Sequence, residues 1–444
     1  MAADVGRVAI VGAGYAGMAA AAELAAAGVP VDVFEASRTL GGRARGVDIE
    51  GLRLDNGAHI LVGAYTETLR LMRLVGVPET ALKRAQLHLE FPGQFRIKAP
   101  QLPAPLHLAW ALLTAQGLTL AEKFATIGFM EAMKRRQFKL DRDMPASELL
   151  ADQPTTVRRY LWDPLCLAAL NTPPHHASAQ VFLNVLRDSL AAGREASDLL
   201  LPATDFSSLF PEPAARFVEA HGGRVLRGQR IHAVERRNDA WHLDEHGPYA
   251  QVILAVAPQH LPGLVQTLPE LAPIIDQLRA YAWEAIVTVY LAYPESVRLP
   301  AAMLGVADGT AQWLFDRGRT HDQPGLIAAV ISAHARDENA DHDTLATSIH
   351  REIQALVPNL PPPGWTHVIT EKRATFACTP DLQRPATLTP LPGLLLAGDY
   401  VAGDYPATLE GAIRSGVAAA RANIRWLHGQ SASDRRRSTC RPCA

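Results

Sequence analysis

Residues 7–17, RVAIVGAGYAG, decide the fold. The opening RVAIV is short and apolar and reads as a buried strand. Gly12, Gly14 and Gly17 then lead into MAAAAELAAAG, an alanine-rich run of high helix propensity that Gly28 is placed to stop. A strand, the pattern G-x-G-x-x-G and a helix in direct succession form a seat for a dinucleotide. The glycines permit the tight turn, the approach of backbone to a pyrophosphate, and close packing of helix on strand. The helix start, which includes Ala16, offers free N–H groups and positive dipole to the phosphates.

Outward from there, VDVFEA at residues 31–36 reads as the next strand, so residues 7–36 make a βαβ unit. Glu35, followed by Ala36, ends it at the separation from the glycines where a carboxylate accepts hydrogen bonds from an adenosine ribose. Leu40-Gly41-Gly42-Arg43 comes next; paired glycines admit the cofactor, and the Arg43 fork suits a pyrophosphate. Near the other end, residues 397–416, AGDYVAGDYPATLEGAIRSG, place Gly398 and Asp399 after an apolar strand, where the carboxylate can hold a ribityl chain. The following helix, entered through Thr408 and Leu409, turns its N-terminus toward the edge of a flavin that gains charge on reduction. These segments favour FAD over NAD.

Composition sets the frame. A chain of 444 residues calls for two interlocked domains rather than one core. Apolar content of 48% with 20% charged residues is that of a globular protein, and a net charge of −2 excludes a nucleic-acid-binding field. Of the four cysteines, Cys166 and Cys378 are interior while Cys440 and Cys443 are in the tail, a poor disulfide framework that points to a reducing compartment, the cytoplasm. No signal peptide is visible. Residues 104–120 are apolar but broken by His107, Gln116 and Gly117, so a buried or interfacial helix is expected there, not a membrane span.

The expected architecture is α/β. A Rossmann-like FAD-binding domain comprises residues 1–85, 205–270 and 385–430, and an interleaved α+β substrate-binding domain comprises 86–204 and 271–384. Residues 86–204 show helical periodicity and few strand signals, and the polar, basic tail at 431–444 is expected to be disordered.

GAGYAG, Glu35, LGGRAR and GDY…PATLEGAIRSG, in that order, resemble the flavin-containing amine oxidase and phytoene desaturase superfamily, whose FAD/NAD(P)-binding fold is glutathione reductase-like. The resemblance implies that the Ile231 backbone lies against the adenine and that Gly57, Ala58 and His59 pass beside the flavin ring. No cysteine lies between Ala397 and Gly416, which excludes a covalent flavin link there, so FAD is expected to be held non-covalently. DNGAHILVGAY (residues 55–65), KRATFACTPDLQRPA (372–386) and the C-terminal segment further resemble the hydroxysqualene dehydroxylases, also called squalene-associated FAD-dependent desaturases. That resemblance implies reductive removal of the hydroxyl of hydroxysqualene to give squalene, in hopanoid or related biosynthesis. It also implies a hydrophobic C30 isoprenoid substrate and functional association with squalene-synthase-like enzymes. Cys378 departs from the pattern, where a small residue is expected.

Such chemistry needs a hydride, a proton for the departing oxygen and a dry pocket. His59 is the candidate acid, with Asp55 as the neighbour that could adjust it; its plainer reading is a hydrogen bond without proton exchange. Asp404 and Tyr405 are further catalytic candidates, with turn formation before Pro406 as their plainer reading. Tyr65 and Trp283 are expected either to line the cavity or to be ordinary core. No metal is expected: nothing stands at ligand spacing around His59, and His175-His176 reads as loop. The apolar helices at 100–135, edged by Lys134, Arg135 and Arg136, suggest peripheral contact with a membrane, against a plain core-facing role. Rival readings are a carotenoid-type desaturase, an amine oxidase, and a non-enzymatic flavin or lipid carrier.

Overall fold

The structure, a computed structural model, describes residues 6–334 and 341–438. Five parallel strands form its nucleotide-binding sheet, in the spatial order Arg224–Arg227, Val31–Glu35, Val8–Val11, Gln251–Leu254, Leu394–Leu396. Val8 pairs with Val31 on one side and Gln251 on the other, which centres the first strand. That strand is buried throughout, as its continuous apolar run requires when both faces of a parallel sheet are covered. The helix Tyr15–Ala26 covers one face and packs against the long C-terminal helix Leu409–Ser438. Their approach is close: a Cβ on Gly416 would stand 2.1 Å from the Ala16 carbonyl oxygen.

The second sheet is antiparallel, in the order Met303–Gly305, Trp313–Asp316, Leu326–His334, Trp283–Ala292, Trp365–Phe376. Residues 55–62 run between the two halves of the fold. The hairpin Gly46–Ile49/Leu52–Asp55 ends with Asp55 opposite Gly46, and after an irregular passage Leu61–Val62 pairs with Leu199–Pro202. In that passage the Ala58 N–H reaches the Thr288 hydroxyl of the second sheet at 3.4 Å.

Residues 86–204 are mainly helical with three short strands: His88–Phe91 and Phe95–Lys98 form a hairpin, and Leu199–Pro202 is the third. Two expectations need correction. Residues 104–120 hold no single helix but the short helix Leu106–Leu113 and the start of a second, Leu120–Arg135, capped by Thr119 and Glu122. The C-terminal helix continues to Ser438, into the stretch from Ser431 expected to be disordered; residues 439–444 lie outside the described residues. No helix among the described residues is long and apolar enough to cross a membrane.

Candidate active site

The carboxyl ends of the parallel strands open onto one large cavity, the place where open α/β sheets receive ligands. Its volume is about 1210 Å³. One drug-sized ligand takes roughly 300–1,000 Å³, so the space suits a cofactor and a second molecule. The N-terminal segment contributes Gly12, Gly14, Ala16, Glu35, Ala36, Gly41, Gly42 and Arg43 to the wall. Gly57, Ala58 and His59 follow, then Ile231, and from the C-terminal segment Gly398, Asp399, Tyr405, Thr408 and Leu409. Tyr65 also lines it, whereas Trp283 packs against Tyr281 in the core.

Two candidates stand apart. Gly17 lies behind the wall, where a Cβ would sit 1.9 Å from the Gly12 carbonyl oxygen, so its part is to let helix and turn touch. Asp404 is not on the cavity: its side chain is 73% exposed and its carbonyl accepts from Asn184 Nδ2 at 3.1 Å. An exposed carboxylate outside the cavity has no reach to a bound substrate, so the catalytic expectation for Asp404 is dropped.

The N-terminal wall fits a dinucleotide. Gly12 has φ +105°, and a Cβ there would strike the Ala255 carbonyl oxygen at 2.6 Å. Gly14 bridges Gly41, whose N–H donates to the Ala13 carbonyl at 3.0 Å. A Cβ on Gly42 would come within 3.3 Å of the Gly14 Cα, so two bare backbone turns run side by side beneath the helix start. Glu35 accepts from the Ala13 N–H and the Ser37 N–H, each at 2.8 Å, and each oxygen keeps a lone pair for a ribose hydroxyl. Thr408 caps the last helix by accepting from the Gly411 N–H at 3.1 Å.

Arg43 and Asp399 do not act separately, as the sequence suggested. Arg43 Nη2 meets Asp399 Oδ1 at 2.6 Å, and Nη1 donates to the Ala374 carbonyl at 2.6 Å. This pair ties the LGGR turn to the C-terminal segment and to the long strand of the second sheet. Tyr405 also has a defined partner. Its hydroxyl donates to Asp188 Oδ2 at 2.7 Å, and burial with the Asp188 hydrogen bond pushes its pKa up. A phenol so committed is a poor acid, so Tyr405 serves as wall rather than proton donor.

His59 is partly buried, with its ring 5.0 Å from that of Phe206. Its Nδ1 lies 2.7 Å from the Gly57 carbonyl, which can only accept, so Nδ1 carries the hydrogen and Nε2 is the nitrogen left for exchange. Burial, reinforced by the Arg43 cation, holds its pKa below the ordinary value despite that carbonyl. His59 is therefore neutral at neutral pH. Beside it, burial raises Asp55 to about 6 against the pull of Arg317. Arg317, His321 and Asp188 carry no motif in the sequence; Arg317 and His321 come from one short helical turn and Asp188 from another segment, and nothing short of the fold brings them to the site. The rings of His175 and His176 lie 4.2 Å apart in a turn, tilted by 51°, and no metal-binding cluster exists among the described residues.

Beyond the flavin end the wall becomes largely apolar, with Leu89, Leu165, Phe182, Leu186, Met303 and Trp313. A glycine-turn nucleotide seat joined to an apolar chamber defines a flavoprotein oxidoreductase. The chain belongs to the flavin containing amine oxidoreductase family, whose model matches residues 15–424. Its cofactor is FAD. A hydroxysqualene dehydroxylase of Rhodopseudomonas palustris is 32% identical, over 93% of this chain and 96% of that protein. A zeta-carotene desaturase of Synechocystis sp. is 26% identical, over 94% and 96%. The crystal structure of a putative protoporphyrinogen oxidase from Exiguobacterium sp. 255-15 superposes with a TM-score of 0.68 at 17% identity, over 95% of this chain and all of that one.

Proposed function

We propose that this chain replaces the allylic hydroxyl of hydroxysqualene by hydride, giving squalene. The observation that carries the reading is a single cavity with a dinucleotide seat at one end, an apolar chamber at the other, and His59 on its wall. FAD, when bound and reduced, supplies the hydride. The chain's own residues do the rest. The glycine turns and Glu35 hold the nucleotide, and the Ile231 backbone flanks the adenine. Gly57 and Ala58 keep the strip slender enough to pass beside the ring. His59 Nε2 gives a proton to the departing hydroxyl, a step worth typically ~10²–10⁴-fold. The apolar chamber excludes water that would recapture the allylic cation. Neither described cysteine lines the cavity, which supports non-covalent attachment.

We assign the cofactor domain to residues 1–85, 205–270 and 385–430, and the substrate domain to 86–204 and 271–384. The positions of the two five-stranded sheets support that division. We also infer peripheral contact with an anionic, cytoplasmic membrane face, supported by exposed apolar side chains on the two helices after residue 105. Association with squalene-synthase-like enzymes would follow from the proposed substrate.

A carotenoid-type desaturase would use the same chamber oxidatively, and an amine oxidase would reduce its flavin with an amine. Anaerobic incubation of the FAD-loaded protein with a flavin reductant and hydroxysqualene separates the three. Squalene in the mass spectrum is expected. No squalene, together with flavin bleaching by an amine or by phytoene, would overturn the reading.

A further inference from the structure

Behind His59 lies a second, much smaller cavity, bounded by Asp55, Ala58, His59, Arg317, Thr320 and His321 among others. Its volume is about 20 Å³; one water needs roughly 10–15 Å³ on this measure. His59 and Ala58 belong to both walls, so they separate this pocket from the main chamber.

Its polar groups are incompletely matched. Arg317 is 2% exposed; its Nε donates to Gln323 at 2.6 Å and its Nη1 meets Asp55 Oδ2 at 3.3 Å, but its Nη2 has no partner. The Thr320 hydroxyl donates to the Asp316 carbonyl at 3.2 Å, so at 2.7 Å from His321 Nδ1 it accepts that nitrogen's hydrogen. His321 Nε2 is then a lone pair without a partner, and it faces Asp55 Oδ2 across 3.7 Å. Two acceptors at that distance repel unless a proton donor stands between or beside them. One water answers all three needs: it accepts from Arg317 Nη2 and donates to His321 Nε2 and Asp55.

We propose that this cavity holds one water, and that through it Asp55 resupplies the proton that His59 delivers in the reaction proposed above. The inference rests on that reading of His59. In its protonated form Asp55 donates to the water instead of accepting from it, which frees one of the water's hydrogens. The carboxyl passes its proton to the water as the water passes that freed hydrogen to His59 Nε2, the nitrogen that the Gly57 carbonyl leaves open. Asp55 is left as a carboxylate paired with Arg317. His59 gives the proton to the substrate oxygen, which leaves as water with the bonding pair of the C–O bond, while hydride fills the carbon. Asp55 regains its proton from solvent on the side where His321 is 11% exposed. A neutral His59 needs such a supply, and a carboxyl raised to about 6 can provide one. The other groups facing Asp55 are Asp205 and Tyr15, which bear on it through space, and Tyr290, whose hydroxyl donates to the Asp55 carbonyl at 2.9 Å. Lys83 bears on His321, and Arg43 on His59.

Three measurements on the FAD-loaded protein test this. A crystal structure that resolves waters is expected to show one within hydrogen-bond distance of Arg317 Nη2; a dry cavity overturns the proposal, whatever the variants do. In kinetics, Asp55→Asn and His321→Phe are each expected to lower kcat at least about tenfold with KM unchanged, within the range of lost general acid catalysis. Asp55→Asn should also remove the fall in rate as pH rises through about 6. With histidine labelled at the ring carbon Cε1, the NMR titration of His59 is expected to shift in both variants. If both keep the wild-type profile and titration while His59→Ala is inactive, Asp55 is not the source and only the reading of His59 survives. If His59→Ala also keeps full activity, that reading falls as well. Should Asp55→Asn fail to fold, His321→Phe, which leaves the Asp55–Arg317 pair intact, decides the kinetics.

Discussion

At the residue scale, the two titrating neighbours behind the site pull stability in opposite directions with pH. His321 is held down to about 3 by burial and then by Arg317 and Lys83, against an ordinary 6.5. A depressed imidazole leaves full stability above 6.5 and loses it as pH falls, because the unfolded chain takes up a proton that the native state refuses. Asp55, raised from 3.8 to about 6, works the other way: its contribution is complete below 3.8 and is lost as pH rises through about 6. Between these limits the slopes oppose. Removing His321 leaves Asp55's slope alone, so His321→Gln should lose less stability than the wild type between pH 7 and pH 5. The difference at pH 5 should be about 2 kcal/mol, from ~1.36 kcal/mol per pH unit below the imidazole's unfolded pKa. Urea denaturation at the two pH values checks it, and equal losses in both proteins would contradict the assignment. The Arg43–Asp399 pair makes a second test. Arg43→Ala leaves the Asp399 carboxylate, 8% exposed, without its cation. Loss of a buried partner costs ~3–5 kcal/mol, and with Arg43 itself 29% exposed we expect roughly 2–4 kcal/mol in denaturant melts, together with loss of bound FAD on gel filtration.

At the element scale, the first and last helices of the cofactor domain meet backbone to backbone. A single methyl at Gly416 would stand 2.1 Å from the Ala16 carbonyl oxygen, well inside any real contact. Gly416→Ala must separate the two helices, and overpacking of that kind costs typically ~1–3 kcal/mol. Because the last helix presents Thr408 and Leu409 to the cavity, the same variant should retain less FAD after dialysis. Wild-type stability and full flavin content would show that the helices can slide apart freely. Gly12, Gly14 and Gly17 were readable in the sequence as turn and close-approach positions, because such residues have few substitutes, whereas Gly416 shows its part only in the packed structure. The long strand Trp365–Phe376 was not. It is the edge of its sheet, paired on one side only, and WTHVITEKRATF puts charged and polar residues where a central strand would be apolar. The hairpin at His88–Phe91 and Phe95–Lys98 was hidden in the same way, inside a region whose neighbours are helical. Of the site, the strip from Gly57 to His59 was legible through its small residues and lone histidine. Asp55 was legible as the first residue of DNGAHILVGAY, but its partners Arg317 and His321 were not: they share one turn 262 residues further on, outside any motif.

At the scale of the whole molecule, one surface feature has no counterpart in the cofactor chemistry. Leu106, Trp110 and Leu113 lie at helical spacing and are 56%, 54% and 46% exposed; Leu120 and Phe124, on the next helix, are 66% and 62% exposed. Lys123 joins the two helices by donating to the Leu113 carbonyl at 2.8 Å, so the five side chains belong to one helical pair. Lys134, Arg135 and Arg136 are exposed at the far end of the second helix. Single exposed leucines need no explanation, but a clustered set of this size with basic neighbours suits an interface with anionic lipid. A substrate as apolar as a C30 isoprenoid resides in membrane, so docking there would shorten its path to the apolar chamber. Full burial of a large apolar side chain is worth roughly 1.5–3 kcal/mol, and these are about half exposed already. Trp110→Glu with Phe124→Glu should then weaken binding to anionic liposomes by roughly tenfold or more, since each residue would forfeit about 1–1.5 kcal/mol of insertion. Turnover of substrate presented in detergent should be unchanged, because neither residue lines the cavity. Flotation reads the first quantity and squalene formation the second. Wild-type protein that stays out of the lipid fraction would remove the membrane from the account, and a double variant that floats normally would move the contact to another face.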